Sequence, residues 1–198
     1  MLGAARTECS LTHDQNQGYY GCGFYGYQDT VLAETGAQLY ARCYIEGATD
    51  FIFGQRAAAW FDGCDIRVVE ASLGFITASG RSSNDTSYYV INNSTVAAAD
   101  GADVPSGAYY LGRPWREYAR VVFQETSMSD VINPAGWSVW STTNPQTDHV
   151  TFGKSPCQFL RRASADIFFP LSQLNMRTVA QVVTAHVQAS QAFSMSLC

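Results

Sequence analysis

Two aspartates, Asp29 and Asp50, are the best candidates for chemistry in this sequence, because they recur 21 residues apart in matching surroundings. Each comes three residues after a glycine and lies among aromatic residues. A lone aspartate beside a turn usually bonds its own backbone. Two carboxylates about 5 Å apart instead repel each other, so the pKa of one rises while a cation can hold the other ionised. That separation is what an acid/base and a nucleophile require.

Arg113 is the candidate cation. An arginine before a proline is usually a solvated loop residue, but Arg113 lies in a strip from Tyr109 to Trp115 that also contains a glycine, a proline and three aromatic residues. That composition is unusual for a loop that meets only water. A guanidinium can hold a carboxylate ionised through a bidentate pair of hydrogen bonds. We therefore expect Arg113 to reach one of the two aspartates.

The element that must position these residues is a repeat with a period of 21 residues. Its three passes are Tyr19, Cys22, Phe24, Gly26 and Asp29; then Tyr40, Cys43, Ile45, Gly47 and Asp50; then Phe61, Cys64 and Ile66. The inward candidates alternate with other residues, which is typical of strands, and a repeat of this length indicates stacked coils. The pattern predicts an all-β fold, a right-handed parallel β-helix. Equivalent positions in adjacent coils lie about 4.8 Å apart, which would put Asp29 beside Asp50.

Three segments follow from this pattern. Residues 1–17 form an irregular N-terminal segment, residues 18–153 form the β-helix, and residues 154–198 form a divergent tail with an amphipathic helix predicted over 171–194. Later coils repeat the spacing with insertions, at Ile91, Ser94 and Val96 and again at Phe123, Thr126 and Met128. Insertions in such repeats emerge as loops, often on the binding face. The segments 77–87 and 97–115 are the two insertions expected here.

Composition narrows the classes of function. The 198 residues carry a formal charge of −5 and no basic run, so we expect no nucleic-acid partner. No apolar stretch is long enough to cross a membrane, and the first ten residues lack the apolar segment of a signal peptide. Stacked cysteines could form one disulfide, Cys22 with Cys43 or Cys43 with Cys64, or could simply pack in the core. Those two interpretations stay open, and Cys9, Cys157 and Cys198 receive no assignment.

Three ordered stretches resemble the signature motifs of the pectin methylesterases. They are Gly26-Tyr27-Gln28-Asp29-Thr30, Asp50-Phe51-Ile52-Phe53-Gly54 and Leu111-Gly112-Arg113-Pro114-Trp115, and Gly136 to Trp140 resembles a further family stretch. The resemblance covers about residues 18–153. It implies a secreted, monomeric enzyme on a right-handed parallel β-helix, which hydrolyses the galacturonate methyl esters of pectin to carboxylate and methanol. It implies no metal and no organic cofactor.

The resemblance also implies roles. Asp50 would be the nucleophile, Asp29 the general acid/base, and Gln28 a donor to the oxyanion. Arg113 would bond Asp50, and Trp115 would help to bind the galacturonan chain. Trp115 and Trp137 could both serve as flat platforms for sugar rings, although core packing is the commoner fate of tryptophan.

The start of the sequence departs from the family pattern. Family members have a further oxyanion glutamine about one coil before Gln28, where this sequence has Thr7. A β-helix without its first coils would expose an unpaired edge and would lack part of its groove. We therefore expect a chain that is incomplete at its N-terminal end, poorly stable, and weakly active or inactive.

Two other functions remain open. The first is another pectin-degrading β-helix enzyme, a polygalacturonase or a pectate lyase. Inverting hydrolases hold their carboxylates roughly 6.5 to 9.5 Å apart, further than adjacent coils would, and a lyase needs a calcium-binding cluster of acids that the sequence does not suggest. The second is a catalytically inactive, pectin-binding solenoid.

Overall fold

A computed structural model describes residues 16–155, and within that range the regular elements are fifteen β-strands and no helix. The strands are β1 (Asn16–Tyr20), β2 (Gly23–Tyr25), β3 (Val31–Leu32), β4 (Thr35–Ala41), β5 (Tyr44–Gly47), β6 (Thr49–Gly54), β7 (Arg56–Asp62), β8 (Asp65–Val68), β9 (Gly74–Ser79), β10 (Tyr88–Asn92), β11 (Thr95–Ala98), β12 (Tyr109–Pro114), β13 (Arg120–Gln124), β14 (Ser127–Met128) and β15 (Thr151–Ser155).

Successive coils contribute strands to three parallel sheets. The first sheet has the order β1-β4-β7-β10-β13-β15, the second β2-β5-β8-β11-β14, and the third β3-β6-β9-β12. In the early coils each residue pairs with the one 21 positions later, as Tyr19 does with Tyr40 and Val31 with Ile52. The chain is thus a right-handed parallel β-helix, and both the predicted fold and its period are confirmed. Phe61 pairs with Ile91, and Ile91 with Phe123, so the predicted later coils are confirmed too.

Stacks of side chains from equivalent positions fill the interior. The ring of Tyr40 lies between those of Tyr19 and Phe61, with centroids 4.9 and 4.5 Å away. Ile45 and Ile66 are paired in register and fully buried. Because burying one large apolar side chain contributes about 1.5–3 kcal/mol, these stacks hold neighbouring coils together.

One corner of every coil has a constant form. The first and second sheets are always joined by two residues, and the first of the two has a positive φ: Gly21, Arg42, Gly63, Asn93 and Glu125, with φ between 45° and 62°. The second residue is Cys22, Cys43, Cys64, Ser94 or Thr126, and its side chain donates to the carbonyl two residues earlier. The repeated cysteine is therefore explained by this corner, which accepts a small side chain with a weak donor.

The thiols of Cys43 and Cys64 are free, so neither disulfide considered from the sequence is formed. Cys43 Sγ donates to the Ala41 carbonyl at 3.4 Å, and Cys64 Sγ donates to the Tyr40 carbonyl at 3.2 Å. The cysteines of the repeat thus act as core residues.

The other two corners vary in length, and they carry the insertions. Segments 69–73 and 99–108 join the second sheet to the third, while segments 80–87 and 115–119 join the third sheet to the first. Both kinds of corner flank the third sheet. Loop variation is therefore concentrated on either side of one sheet, the one that carries Asp50 and Arg113.

Some predictions concern other parts of the chain. The predicted helix over 171–194 and residues Thr7, Cys9, Cys157 and Cys198 lie outside the described residues. The segment boundaries predicted at residues 17 and 153 remain predictions.

Across residues 16–155, no helix is long and apolar enough to cross a membrane.

Candidate active site

The third sheet and the turn that leads into it bring the two aspartates together. Asp29 lies in the turn between β2 and β3, and Asp50 lies in β6 of the next coil. Gln28 forms a parallel bridge with Thr49, and the Asp29 N–H donates to the Thr49 carbonyl at 3.2 Å. Since Val31 pairs with Ile52 two positions further on, Asp29 and Asp50 occupy equivalent positions in adjacent coils.

Both aspartates have left-handed backbones, with φ of 56° at Asp29 and 50° at Asp50. Residues other than glycine seldom adopt this conformation, which costs on the order of 1–3 kcal/mol and is concentrated at functional sites. At Asp50 the register of β6 against β9 shifts between Thr49 and Ile52, which is a local bulge. Bulges re-aim side chains beside active sites. The repeat therefore places two unusual backbone positions next to each other, and both carry a carboxylate.

Arg113 reaches Asp50 from β12, two coils further along the solenoid. Its Nε donates to Asp50 Oδ1 at 2.9 Å and its Nη2 donates to Oδ2 at 2.7 Å. The Asp50 side chain is only 8% exposed and that of Arg113 21%. A buried carboxylate is tolerated when it is paired and hydrogen-bonded in this way, so the bidentate contact is what keeps the Asp50 charge in place.

Two aromatic rings clamp the guanidinium of Arg113. Its Cζ lies 4.2 Å from the centroid of the Phe75 ring and 4.4 Å from that of the Trp140 ring. Phe75 in turn stacks on Tyr110, with centroids 5.8 Å apart. Such cation–π contacts contribute about 0.5–2 kcal/mol each. Neither clamping residue was predicted from the sequence, although Trp140 ends the fourth family-like stretch.

Asp29 has different surroundings. Its side chain is largely exposed, and it makes no salt bridge to the described residues. Partial burial raises the pKa of its carboxyl, and the negative charge of Asp50 raises that pKa further. Asp29 therefore binds a proton more readily than an ordinary aspartate, which suits a general acid.

Gln28 lies next to Asp29 on an exposed turn that its neighbours keep tight. A side chain at Gly26 would overlap that of Thr30, whose Oγ1 donates to the Glu46 carbonyl at 3.0 Å. Among residues 16–155 no hydrogen bond occupies the Gln28 amide, so its N–H groups can donate to a bound molecule. The geometry thus offers an ionised carboxylate, a protonatable carboxyl and an amide donor in one place.

The two tryptophans considered as platforms for sugar rings have different surroundings. The Trp115 ring lies against the backbone of Gly80 at the end of β9, and it remains partly exposed. The Trp137 ring packs flat on Phe152, with centroids 4.0 Å apart, and edge-on against Phe123. Trp137 thus helps to cover the core, which is the alternative that the sequence left open for it, and its role as a platform stays a prediction.

No group of three or more histidine, cysteine, aspartate or glutamate side chains within residues 16–155 could hold a metal ion.

Comparison with known proteins identifies the family. The pectinesterase family model matches residues 8–155. A pectinesterase from Aspergillus aculeatus is 69% identical over 140 residues, which are 70% of this chain and 42% of that protein. A pectinesterase from Aspergillus niger is 70% identical over 138 residues, 69% of this chain and 42% of that protein.

Solved structures agree with the sequence comparison. The pectin methylesterase from Aspergillus niger matches 78% of this chain and 51% of its own, with a TM-score of 0.66 and 38% identity. The carrot pectin methylesterase matches 75% of this chain and 48% of its own, with a TM-score of 0.69 and 33% identity. This chain spans about two fifths of the length of the curated relatives and about half of the solved chains. It belongs to the pectinesterase family.

Proposed function

We propose that the site formed by Asp50, Arg113, Asp29 and Gln28 hydrolyses galacturonate methyl esters of pectin to carboxylate and methanol. The observation that carries this proposal is the contrast within the site, where one carboxylate is buried in a bidentate pair with Arg113 and its neighbour has a raised pKa. Membership of the pectinesterase family supports the same reaction. Secretion and a monomeric state, expected from the family resemblance, are part of this proposal.

The first half of the reaction forms an acyl-enzyme. An ionised Asp50 oxygen attacks the ester carbonyl, and the carbonyl oxygen becomes negative. The Gln28 amide donates to that oxyanion, and a side-chain donor of this kind is typically worth about 10² to 10³ in rate. Protonated Asp29 gives its proton to the departing methoxy oxygen, so methanol leaves and an anhydride joins Asp50 to the galacturonate.

The second half regenerates the enzyme. Asp29, now ionised, takes a proton from a water molecule, and the resulting hydroxide attacks the galacturonyl carbonyl of the anhydride. Cleavage releases the galacturonate carboxylic group and returns Asp50 to the ionised state beside Arg113. Asp29 is protonated again, so protons and charge balance over the cycle.

Aromatic rings beside the site would hold the polymer. Tyr110, which is half-buried, lies in β12 and stacks on the buried Phe75 beside Arg113. Trp115 lies in the loop that follows β12, two residues after Arg113. Flat apolar faces with polar groups nearby suit the faces of sugar rings. We assign Trp115 the role of binding the galacturonan chain near the reacting ester.

Methanol release from highly methylated pectin tests the proposal. The purified chain should release methanol, and Asp50→Asn should reduce the rate to background while the far-ultraviolet circular dichroism stays unchanged. Asp130→Asn, at an exposed position, is the matched control and should keep the parental rate.

Product analysis separates the competing functions. New reducing ends or unsaturated uronides in place of methanol would identify a polygalacturonase or a pectate lyase. Binding of pectin that Asp50→Asn leaves unchanged, without methanol from either protein, would identify an inactive pectin-binding solenoid.

A further inference from the structure

Arg81 is a buried arginine that takes no part in the site just described. Its side chain is 2% exposed, and it lies in the loop 80–87 that joins β9 to β10. Burying a guanidinium is costly unless its donors are satisfied. The hydrogen bonds of Arg81 must therefore offset this cost, and they show which parts of the chain it holds in place.

The Arg81 guanidinium joins two loops. Within its own loop, Nε donates to Asp85 Oδ1 at 3.1 Å, and Nη2 donates to Asn84 Oδ1 at 3.0 Å and to the Asp85 carbonyl at 2.5 Å. Nη1 donates to the Tyr118 carbonyl at 3.0 Å, and the Tyr118 N–H donates back to the Arg81 carbonyl at 3.2 Å. The loops 80–87 and 115–119 are thus joined by the Arg81 side chain together with a backbone hydrogen bond.

The acceptor Asp85 is itself held in place. Burial opposes its ionised form, but hydrogen bonds from the Ser87 hydroxyl and N–H, from Ser83 and from Arg81 lower the pKa of Asp85 to about 2. The Ser87 hydroxyl is 2.5 Å and the Ser87 N–H 2.9 Å from Asp85 Oδ1. Several hydrogen bonds that converge on one carboxylate in this way favour one geometry of the loop.

Trp115 lies where the two loops meet. The N–H groups of Trp115 and Arg116 both donate to the Ser79 carbonyl, at 3.1 and 3.3 Å. A Cβ on Gly80 would overlap the Trp115 ring, which therefore rests on the backbone just before Arg81. The loop segment after Trp115 is the one that Arg81 holds at Tyr118.

We infer that Arg81 is a positioning residue, which fixes the Trp115 ring in the loop that follows Arg113 and thereby sets how tightly the enzyme holds a galacturonan chain. The inference rests on the proposed function, in which Trp115 binds that chain. None of the described hydrogen bonds of Arg81 reaches Asp29, Asp50 or Arg113. Its loss should therefore weaken substrate binding and leave the chemical step nearly unchanged.

Steady-state kinetics on methylated pectin give the first test. Arg81→Lys keeps a positive charge beside Asp85 but loses the planar guanidinium with its several donors. We expect KM to rise about tenfold and kcat to change by no more than about twofold. Trp115→Ala should have a similar effect on KM. Because both changes remove one function, the double variant should be no worse than Trp115→Ala alone. Additive effects in the double variant, or a fall in kcat with KM unchanged, would overturn the inference.

Fluorine NMR of protein labelled with fluorotryptophan gives a second test that needs no activity. Arg81→Lys should shift or broaden the Trp115 signal, assigned through Trp115→Phe, and should leave the Trp60 signal in place. Gly80→Ala displaces the ring directly and should produce the same change. The matched control is Arg56→Lys, since Arg56 pairs with Glu34 on the surface with 67% of its side chain exposed. Its spectrum and KM should stay parental.

The two tests separate the possible failures. If the parental chain releases no methanol, the proposed function fails, and the fluorine spectrum still decides whether Arg81 positions Trp115. If methanol is released but the Trp115 signal is the same in Arg81→Lys and the parental chain, the proposed function stands and the role of Arg81 is refuted.

Discussion

Asp29 and Asp50 occupy equivalent positions in adjacent coils, yet they differ in burial and in hydrogen bonding. They share a left-handed backbone, with φ of 56° and 50°. Asp50 is buried and bound by Arg113 through two hydrogen bonds, while Asp29 is exposed and has a raised pKa. The repeat supplies two copies of one carboxylate, and a residue from a distant coil makes them different. The difference between the two carboxylates therefore comes from outside the repeat.

Removing the cation should have the largest effect. Arg113→Met leaves the buried Asp50 carboxylate without its partner, so we expect activity at background level and a loss of about 3 kcal/mol in the free energy of unfolding. Urea denaturation and methanol release measure the two quantities. Arg113→Lys keeps the positive charge but cannot form the bidentate pair, so its activity and stability should lie between those of the parental chain and Arg113→Met. Parental stability in Arg113→Met would show that the pair is not what keeps Asp50 buried.

Replacing the exposed carboxylate should affect rate and spare stability. Asp29→Asn removes the proposed proton donor, so we expect the rate of methanol release to fall about 10² to 10⁴-fold. The folded state should be as stable or slightly more stable at neutral pH, because asparagine tolerates a left-handed backbone and carries no charge beside Asp50. Thermal unfolding of Asp29→Asn and the parental chain, run side by side, measures this. A clear loss of stability would contradict the contrast drawn between the two aspartates.

Loosening the aromatic clamp should have a smaller effect. Trp140→Leu and Phe75→Leu each remove one cation–π contact with Arg113, worth about 0.5–2 kcal/mol. We expect about a tenfold loss in kcat/KM for each variant, and less than the sum for the double variant, since both rings hold one group. Val139→Ala, at an exposed neighbour of Trp140, is the control and should behave like the parental chain.

The smallest effect concerns the interaction between the two carboxylates. Partial burial and the charge of Asp50 both raise the pKa of Asp29. Asp50→Asn removes only the second cause, so the pKa of Asp29 should fall but stay above its ordinary value. Carbon NMR titration of the Asp29 carboxyl gives both values. An unchanged pKa of Asp29 would mean that the two carboxylates do not interact electrostatically.

The raised pKa of Asp29 also has a consequence for stability. The folded state holds the Asp29 proton more tightly than the unfolded state does, so this residue favours folding below its unfolded pKa. That contribution is lost as pH rises through the raised folded pKa. Asp29→Asn should flatten this part of the stability profile.

The regular part of the molecule could be predicted from the sequence, because its period is local. The spacing of Cys22, Cys43 and Cys64 is enough to predict the register that puts Asp29 beside Asp50. The position of Arg113 could be suggested only from its unusual surroundings and from the family resemblance. It lies 63 residues after Asp50, and the intervening insertions hide its register.

Contacts between insertions could not be predicted. Phe75, Trp140 and Arg81 all act across segments of irregular length, where neither a period of two nor one of 21 residues applies. The packing of Trp137 could not be predicted either. Nothing in the sequence around it distinguishes a ring that stacks on Phe152 from one that binds a ligand. Side chains on unequal loops are placed by tertiary packing, which leaves little trace in local sequence.

The two-residue corner between the first and second sheets has a constant length, whereas the lengths of the other two corners vary. In each coil of residues 16–155 that corner has two residues, so the strands on either side of it keep one register from coil to coil. The other two corners range from a single residue to ten, and the first and second sheets keep their register throughout. New loops could therefore be grafted at 99–108, whereas one residue added at the constant corner would put all later coils out of register.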